Sequence, residues 1–573
     1  MLQLAILGPV LLLAAPPVPG GDEALAARLR ALSAIGTAEV PRPSRDGSRL
    51  LFVTTLFGSR QLAVIPIDGG YPVQLTFERE GVIAARYSPT DPRRVVAIVR
   101  RDRRRRLVLL DDQGSPPAEL EKSPGDQLFG GFTRDGKRAF FATFAEGKAH
   151  LFQFQLDGNK ATEVLPGTTG PASGVIPPPY TPPPPRDAGV ADAGTGAGAG
   201  AASRSSVGAP SVSLADVLPD ATALGPPSPD ARFLLLVTSR GGGNDVYSIE
   251  LSSTRATLLT PHEGKAHFAD PRWTPDGRTV YVLTDAGRDR DGVDAVTVST
   301  RERKTIHAPS NRRIEAYALT EDGHRLAVAE DANGETVFGL LELPSLRAQP
   351  LPQPPSGALA PGVDGEPAMA WTAGGDRLFF SWSQADDTTD VLMFRVGFGA
   401  MVRLTRSPRP GLPAGSLPRP VRLTVTGADG KDIGGWMWRP QNASKPKLAL
   451  LLTGAEVRPV LDPRIDALVS AGYAVLGVNP RDGRGRLETG DEATADLAAA
   501  VRSAGRSQTD LDAQRPLLVA IGKGGGAQAV RLVQTQADSF SGTVALGSSE
   551  HVEGAANASA LQDLVKAARE KTR

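Results

Sequence analysis

"TPDGRTVYVLT" (274–284) couples a polar Asp-Gly turn to a run of β-branched and aromatic residues. Asp-Gly accepts positive φ in a tight turn, and the run after it suits a pleated, largely buried strand. A polar turn that hands the chain to an apolar strand also stands at "SRDGSRLLFVT" (44–54), "SPTDPRRVVAIV" (88–99) and "TRDGKRAFFAT" (133–143). It returns at "SPDARFLLLVT" (228–238), "TEDGHRLAVAE" (320–330) and "TAGGDRLFFSW" (372–382). These seven copies occupy 41–405 and recur roughly every 44 residues once an unlike tract at 167–224 is set aside, the length of a four-stranded propeller blade. "RQLAVIPIDG" (60–69) and "NDVYSIELSS" (244–253) read as further blade strands. A sandwich with coincidental turns is the competing reading, but it does not explain a constant period. The expectation for 41–405 is an all-β, seven-bladed propeller.

The unlike tract contains "PPPYTPPPPRDAGVADAGTGAGAGAASRSS" (177–206), dominated by Pro, Gly, Ala and Ser. Such a composition cannot bury a core, so 167–224 is expected to be a disordered insertion between the third and fourth copies. Its prolines would also suit a partner that reads polyproline II. At the other end, "LQLAILGPVLLLAA" (2–15) followed by "PPVPGG" has the length of a secretory leader. Residues 1–20 are therefore expected to be a signal peptide or an anchor, and the protein to be exported, periplasmic or extracellular. Membrane contact is expected only through that segment, left uncleaved.

The chain of 573 residues calls for two or three domains, and its net charge of +1 provides no global field for nucleic acid. The absence of cysteine excludes disulfides, thiolate zinc sites and a cysteine nucleophile. His150, His262, His267, His307 and His324 scatter through the propeller without metal-ligand spacing, so neither a metal nor a cofactor is expected. "RRDRRRR" (100–106) reads as a solvated hairpin, with an acidic partner as its alternative. "DAGRDRDGVD" (285–294) lacks the order of a calcium loop and reads as another hairpin.

From 420 the pattern changes. "VRLTVTGADGKDIGGWMWRP" (421–440) is two strands around an Asp-Gly turn, and "KLALLLTGAEV" (447–457) is a buried-type strand running into a loop. "RIDALVSAGYAVLGVNPRDGRGR" (464–486) reads helix, strand, Gly-rich turn, and "DEATADLAAAVRSA" (491–504) is an amphipathic helix. "LLVAIGKGGGAQAV" (517–530) is strand, sharp turn, helix, and "FSGTVALGSS" (540–549) is one more strand. Near-continuous apolar strands alternating with helices predict a parallel α/β sheet over 420–573.

In this order, propeller, "DGKDIGGWMWRP", "AGYAVLGVNPRDGRGR", acidic helix and strand–elbow–helix, the chain resembles the prolyl oligopeptidase family of serine peptidases. The propeller alone resembles the TolB type. The resemblance implies an α/β-hydrolase domain capped by the propeller, with a Gly-x-Ser-x-Gly-Gly elbow carrying the nucleophile. Aligned on its glycines, this chain offers Gly522, Lys523, Gly524, Gly525 and Gly526, which puts Gly524 at the nucleophile position. Lys523 could act as a nucleophile only through a depressed pKa and a Schiff-base substrate, and reads instead as a surface lysine. The family's His-Gly-Gly-Pro oxyanion loop is replaced by Thr453, Gly454, Ala455 and Glu456, and a carboxylate there opposes a developing oxyanion. The strands that would carry acid and base after the elbow are expected to be absent, leaving a shortened sheet. His551, beside Ser548, Ser549 and Glu550, is the one histidine after 406, but sequence neighbours rarely make a three-cornered site.

The expectation is therefore a non-catalytic binding or scaffolding protein, a pseudo-peptidase with no catalytic residues. Its occupant would be a protein or peptide partner or a second copy of the chain, contacting 540–573. One alternative is an active serine-type hydrolase with a non-standard or partner-completed site. Another is dinucleotide binding at "GKGGGA" (522–527), with Glu550 as the ribose carboxylate.

Overall fold

Each repeated turn joins the innermost strand of a blade to its neighbour. Thr133 shows how: its hydroxyl donates to Asp135 at 2.5 Å and accepts the Arg138 N–H at 3.1 Å, while Asp135 accepts the Lys137 N–H at 3.1 Å. Ser228, Thr274 and Thr320 repeat the pattern with Asp230, Asp276 and Asp322. Glycine takes positive φ in most copies, as at Gly277 (φ +67°), and Ala231 does so at +57° where a copy lacks it. A local turn with every polar group satisfied is what makes the repeat legible.

The computed structural model describes residues 22–113, 116–169, 211–240, 242–363, 365–441, 443–479, 490–546 and 558–572. Seven antiparallel sheets form the blades, with inner strands Ala38–Pro43, Val82–Tyr87, Asp126–Phe132, Ala221–Pro227, Phe268–Trp273, Arg313–Leu319 and Met369–Trp371. Blades one and seven share no strand. They close the ring through the Ala38 N–H to Thr389 O (2.9 Å), the Val40 N–H to the Ser381 hydroxyl (3.1 Å), and a core including Leu50, Phe52, Phe379 and Met393.

Two boundaries move. The propeller runs from Ala38 to Arg403, slightly earlier at both ends than 41–405. The insertion is shorter than 167–224: blade three's outer strand reaches Thr169, and blade four begins at Ser211–Ser213 and a helical turn, Leu214–Val217. Leu214, Leu218 and Leu224 are buried in that blade's core, so apolar spacing outweighs the local Pro/Ala composition. Residues 170–210 and the leader at 1–20 lie outside the described residues. Both hairpins are present, in the strand pairs Arg94–Arg101/Arg104–Asp111 and Thr279–Thr284/Gly292–Thr297.

Among the described residues the second domain has six strands: β1 (Val421–Thr426), β2 (Asp432–Trp438), β3 (Lys447–Leu452), β4 (Tyr473–Val478), β5 (Asp512–Ile521) and β6 (Gly542–Leu546). Their order is β1-β2-β4-β3-β5-β6, with β1, β2 and β4 antiparallel in turn and β4, β3, β5 and β6 parallel. Its helices are α1 (Asp22–Ser33), α2 (Pro463–Ser470), α3 (Asp491–Ser507), α4 (Gly522–Gln536) and α5 (Ala558–Lys571). Leu448, Leu450 and Leu518 face α3 and α4, while Ala449, Leu451 and Val519 face α2 and α5, which is why these strands read as unbroken apolar runs.

Helix α1 precedes the propeller in sequence but packs on the second domain. Leu29 and Leu32 join Ala467, Leu561 and Val565, and Arg28 binds Asp466 at 2.8 and 3.1 Å, the Ser470 hydroxyl at 2.7 Å and Ser416 O at 2.8 Å. Among the described residues, no helix is long and apolar enough to cross a membrane.

Candidate functional site

β5 ends at Ile521 and α4 begins at Gly522, which takes φ +70°. A single positive-φ residue between strand and helix is the elbow geometry that exposes a nucleophile in α/β-hydrolases. The structure therefore corrects the alignment on glycines: the elbow residue is Gly522, two positions before Gly524. A Cβ built on Gly522 meets nothing within 4 Å, so the space that a nucleophile's side chain would enter is open.

Gly524 and Gly525 do different work in the first turn of α4. A Cβ on Gly524 would stand 2.8 Å from Gly454 Cα, and one on Gly525 would stand 2.1 Å from Leu452 O. These glycines let the helix backbone lie against the end of β3. The motif reads best as Ala520, Ile521, Gly522, Lys523, Gly524 and Gly525. Lys523 is exposed just after the elbow, and Gly526 faces open space.

The loop after β3 brings Thr453, Gly454 and Ala455 beside the elbow, and three of the N–H groups that follow Thr453 are engaged. The Gly454 N–H donates to Gln528 Oε1 (3.2 Å), the Ala455 N–H to Thr453 Oγ1 (3.1 Å), and the Val457 N–H to Asn479 Oδ1 (2.7 Å). Asn479 Nδ2 returns to Val457 O at 2.9 Å, pinning the loop from both sides. An oxyanion hole needs N–H groups aimed at an empty position. Sequence reasoning missed Gln528, whose signal was a polar residue four positions after Gly524 on the buried face of a helix.

Glu456 and Arg458 then turn away from the elbow to the propeller. Glu456 accepts from Arg313 at 2.5 Å and from Arg458 at 3.0 Å, Arg313 also binds Asp331 at 3.2 Å, and Arg458 pairs with Glu315. Gly334 of the same blade would place a Cβ 2.8 Å from Trp436 Nε1, so the two domains touch closely here. Burial, with the Asp331 carboxylate alongside, pushes Glu456 up to about 8 despite Arg313. Burial and the Arg313 charge lower Arg458 to about 10. Oxygens of Glu315, Asp331 and Glu456 lie within 4.8 Å of one another, as metal ligands would, but two guanidiniums occupy the cluster. It is an inter-domain ion-pair network.

The five other histidines lie in the propeller, where His307 pairs with Glu330 at 2.7 Å and His262 Nδ1 lies 2.9 Å from Thr260 O. Ser548, Ser549, Glu550 and His551 lie outside the described residues. Among the described residues the second domain holds no histidine. A dinucleotide fingerprint belongs on the first strand of its unit, whereas 522–527 follows β5.

No family model and no curated protein matches the sequence. Solved structures do match in fold. One, from a study of two prolyl endopeptidases, aligns with a TM-score of 0.67 and 15% identity, over 92% of this chain and 74% of its own. A puromycin hydrolase gives 0.67 and 17% over 92% and 79%. A Mycobacterium tuberculosis puromycin-hydrolyzing peptidase gives 0.66 and 17% over 94% and 81%. At such identities the likeness concerns the fold, and it agrees with a seven-bladed propeller joined to an α/β sheet. The chain has the prolyl oligopeptidase fold, a seven-bladed propeller joined to an α/β-hydrolase-like sheet.

Proposed function

We propose that this protein is a non-catalytic binding or scaffolding member of that architecture, exported from the cell, whose partner is a protein or peptide. The observation that carries the proposal is Gly522 at the elbow, where the fold presents a nucleophile and this chain presents a hydrogen atom. The engaged donors of Gly454, Ala455 and Val457 support it independently, because restoring a nucleophile alone would not restore oxyanion stabilisation.

The test is hydrolysis of chromogenic proline-containing peptides by the purified chain. The expected result is no saturable turnover. Turnover that follows the protein through successive columns and disappears in Gly522→Ala would overturn the proposal.

A further inference from the structure

Charged side chains from several blades meet at the centre of the propeller. Arg42 of blade one reaches Glu366 at 3.2 Å and Pro367 O at 2.8 Å, and Arg86 of blade two reaches the same carboxylate at 2.8 Å. From the other side, Arg272 of blade five pairs with Asp270, and the Tyr317 hydroxyl of blade six lies 2.5 Å from Asp270 O and 2.9 Å from Tyr281 O. Above this cluster, at the mouth facing away from the second domain, lies a cavity of about 490 Å³. It is formed by the ends of the inner strands and by the turns that follow them.

Among the described residues the charges around it do not cancel. In the lower tier Arg42, Arg86 and Arg272 face Glu366 and Asp270, one cation in excess. At the rim Arg45 and Arg134 share Glu321, at 2.9 and 3.8 Å, again one in excess. The aspartates of the repeated turns do not line the cavity. They are turned into their own loops, as Asp135 and Asp276 are, and each has a basic neighbour such as Arg138 or Arg278. A recessed pocket with low-dielectric walls concentrates such an excess. Between the tiers the walls are apolar: Phe132, Trp273, Met369 and Trp371.

We infer that this outer mouth binds an acidic peptide segment, one that alternates carboxylates with apolar side chains. The rim arginines hold one carboxylate, the excess cation of the lower tier draws a second inward, and the aromatic walls cover the side chains between them. The inference deepens the binding role proposed above and rests on it only in expecting the peptide to be released uncut.

The probe is an end-blocked, fluorescein-labelled Glu-Phe-Glu-Phe-Glu peptide, measured by fluorescence anisotropy against the full chain. A Gln-for-Glu counterpart and inorganic phosphate in large excess serve as competitors. Saturable binding should weaken about tenfold for the Gln peptide and about tenfold for the double variant Arg45→Ala/Arg134→Ala, and phosphate should not displace the probe. The two rim side chains are 44% and 52% exposed, so their removal leaves the fold intact. Equal binding of both peptides, or an unaffected rim variant, would overturn the inference. Displacement by phosphate would reduce the pocket to a simple anion site and overturn it as well. Absence of peptide binding would overturn the inference and leave the non-catalytic reading standing, whereas recovery of cleaved probe would sink that reading and not the site.

Discussion

Four glycines in one turn of sequence should respond to the same substitution in different ways. Gly526→Ala adds a methyl group in open space within a helix and should stabilise by about 0.5–1 kcal/mol. Gly522→Ala also meets nothing within 4 Å, but forces alanine into φ +70°. That strain costs about 1–2 kcal/mol, and the stiffer unfolded chain returns about 0.4–1, leaving a net loss near 1 kcal/mol. Gly525→Ala places its methyl 2.1 Å from Leu452 O and 2.8 Å from its carbonyl carbon, backbone against backbone at the end of the central strand β3. Only movement of α4 relieves that overlap, at about 3 kcal/mol or more. Gly524→Ala, 2.8 Å from Gly454 Cα, should fall between the last two. Scanning calorimetry of the α/β-domain transition reads the series: a fall of about 2–4 °C for Gly522→Ala, and about three times that, or loss of the transition, for Gly525→Ala. A loss at 525 no larger than at 522 would refute the close-packed contact and, with it, the placement of the elbow at Gly522.

Gly522→Ser should fold, because the space is open, yet show no peptide turnover; measurable turnover would mean that a base reaches the elbow. Glu456 contributes a pH dependence whose sign follows from its raised pKa. The folded chain keeps a proton that the unfolded chain releases near 4.5, so this contribution is full below that pH and is lost as pH rises towards about 8. Thermal stability should fall across that window by roughly 1–3 kcal/mol, and Glu456→Gln should flatten the slope; an unchanged profile would refute the assignment. Arg28→Ala removes the partner of a carboxylate that is 2% exposed and should cost about 2–4 kcal/mol, with part recovered by adding Asp466→Asn; a neutral Arg28→Ala would mean that α1 is held by its leucines alone.

The propeller was legible because its information is local: the Ser/Thr-x-Asp turn satisfies its own hydrogen bonds in each of these blades. The α/β sheet was legible for a related reason, its doubly covered strands being unbroken apolar runs such as "KLALLL". What the sequence concealed was long-range. The role of α1 depends on contacts with Asp466 and Leu561, hundreds of residues away. The ion-pair network of Arg313, Asp331, Glu456 and Arg458 is assembled from two domains. The elbow was missed by two residues because four glycines in a five-residue stretch align equally well in more than one register, and only the end of β5 and the positive φ of Gly522 distinguish them. In blade four, buried leucines decided the edge of an insertion that composition placed further on.

Whether this fold carries a reactive nucleophile here is read by labelling the intact protein with a fluorophosphonate and mapping any adduct by mass spectrometry. With Gly522 at the elbow, the native chain should carry no adduct above that on the heat-denatured control. A stoichiometric adduct on the native chain, on Ser548, Ser549 or any other serine between 421 and 573, would contradict the non-catalytic reading and establish an active hydrolase.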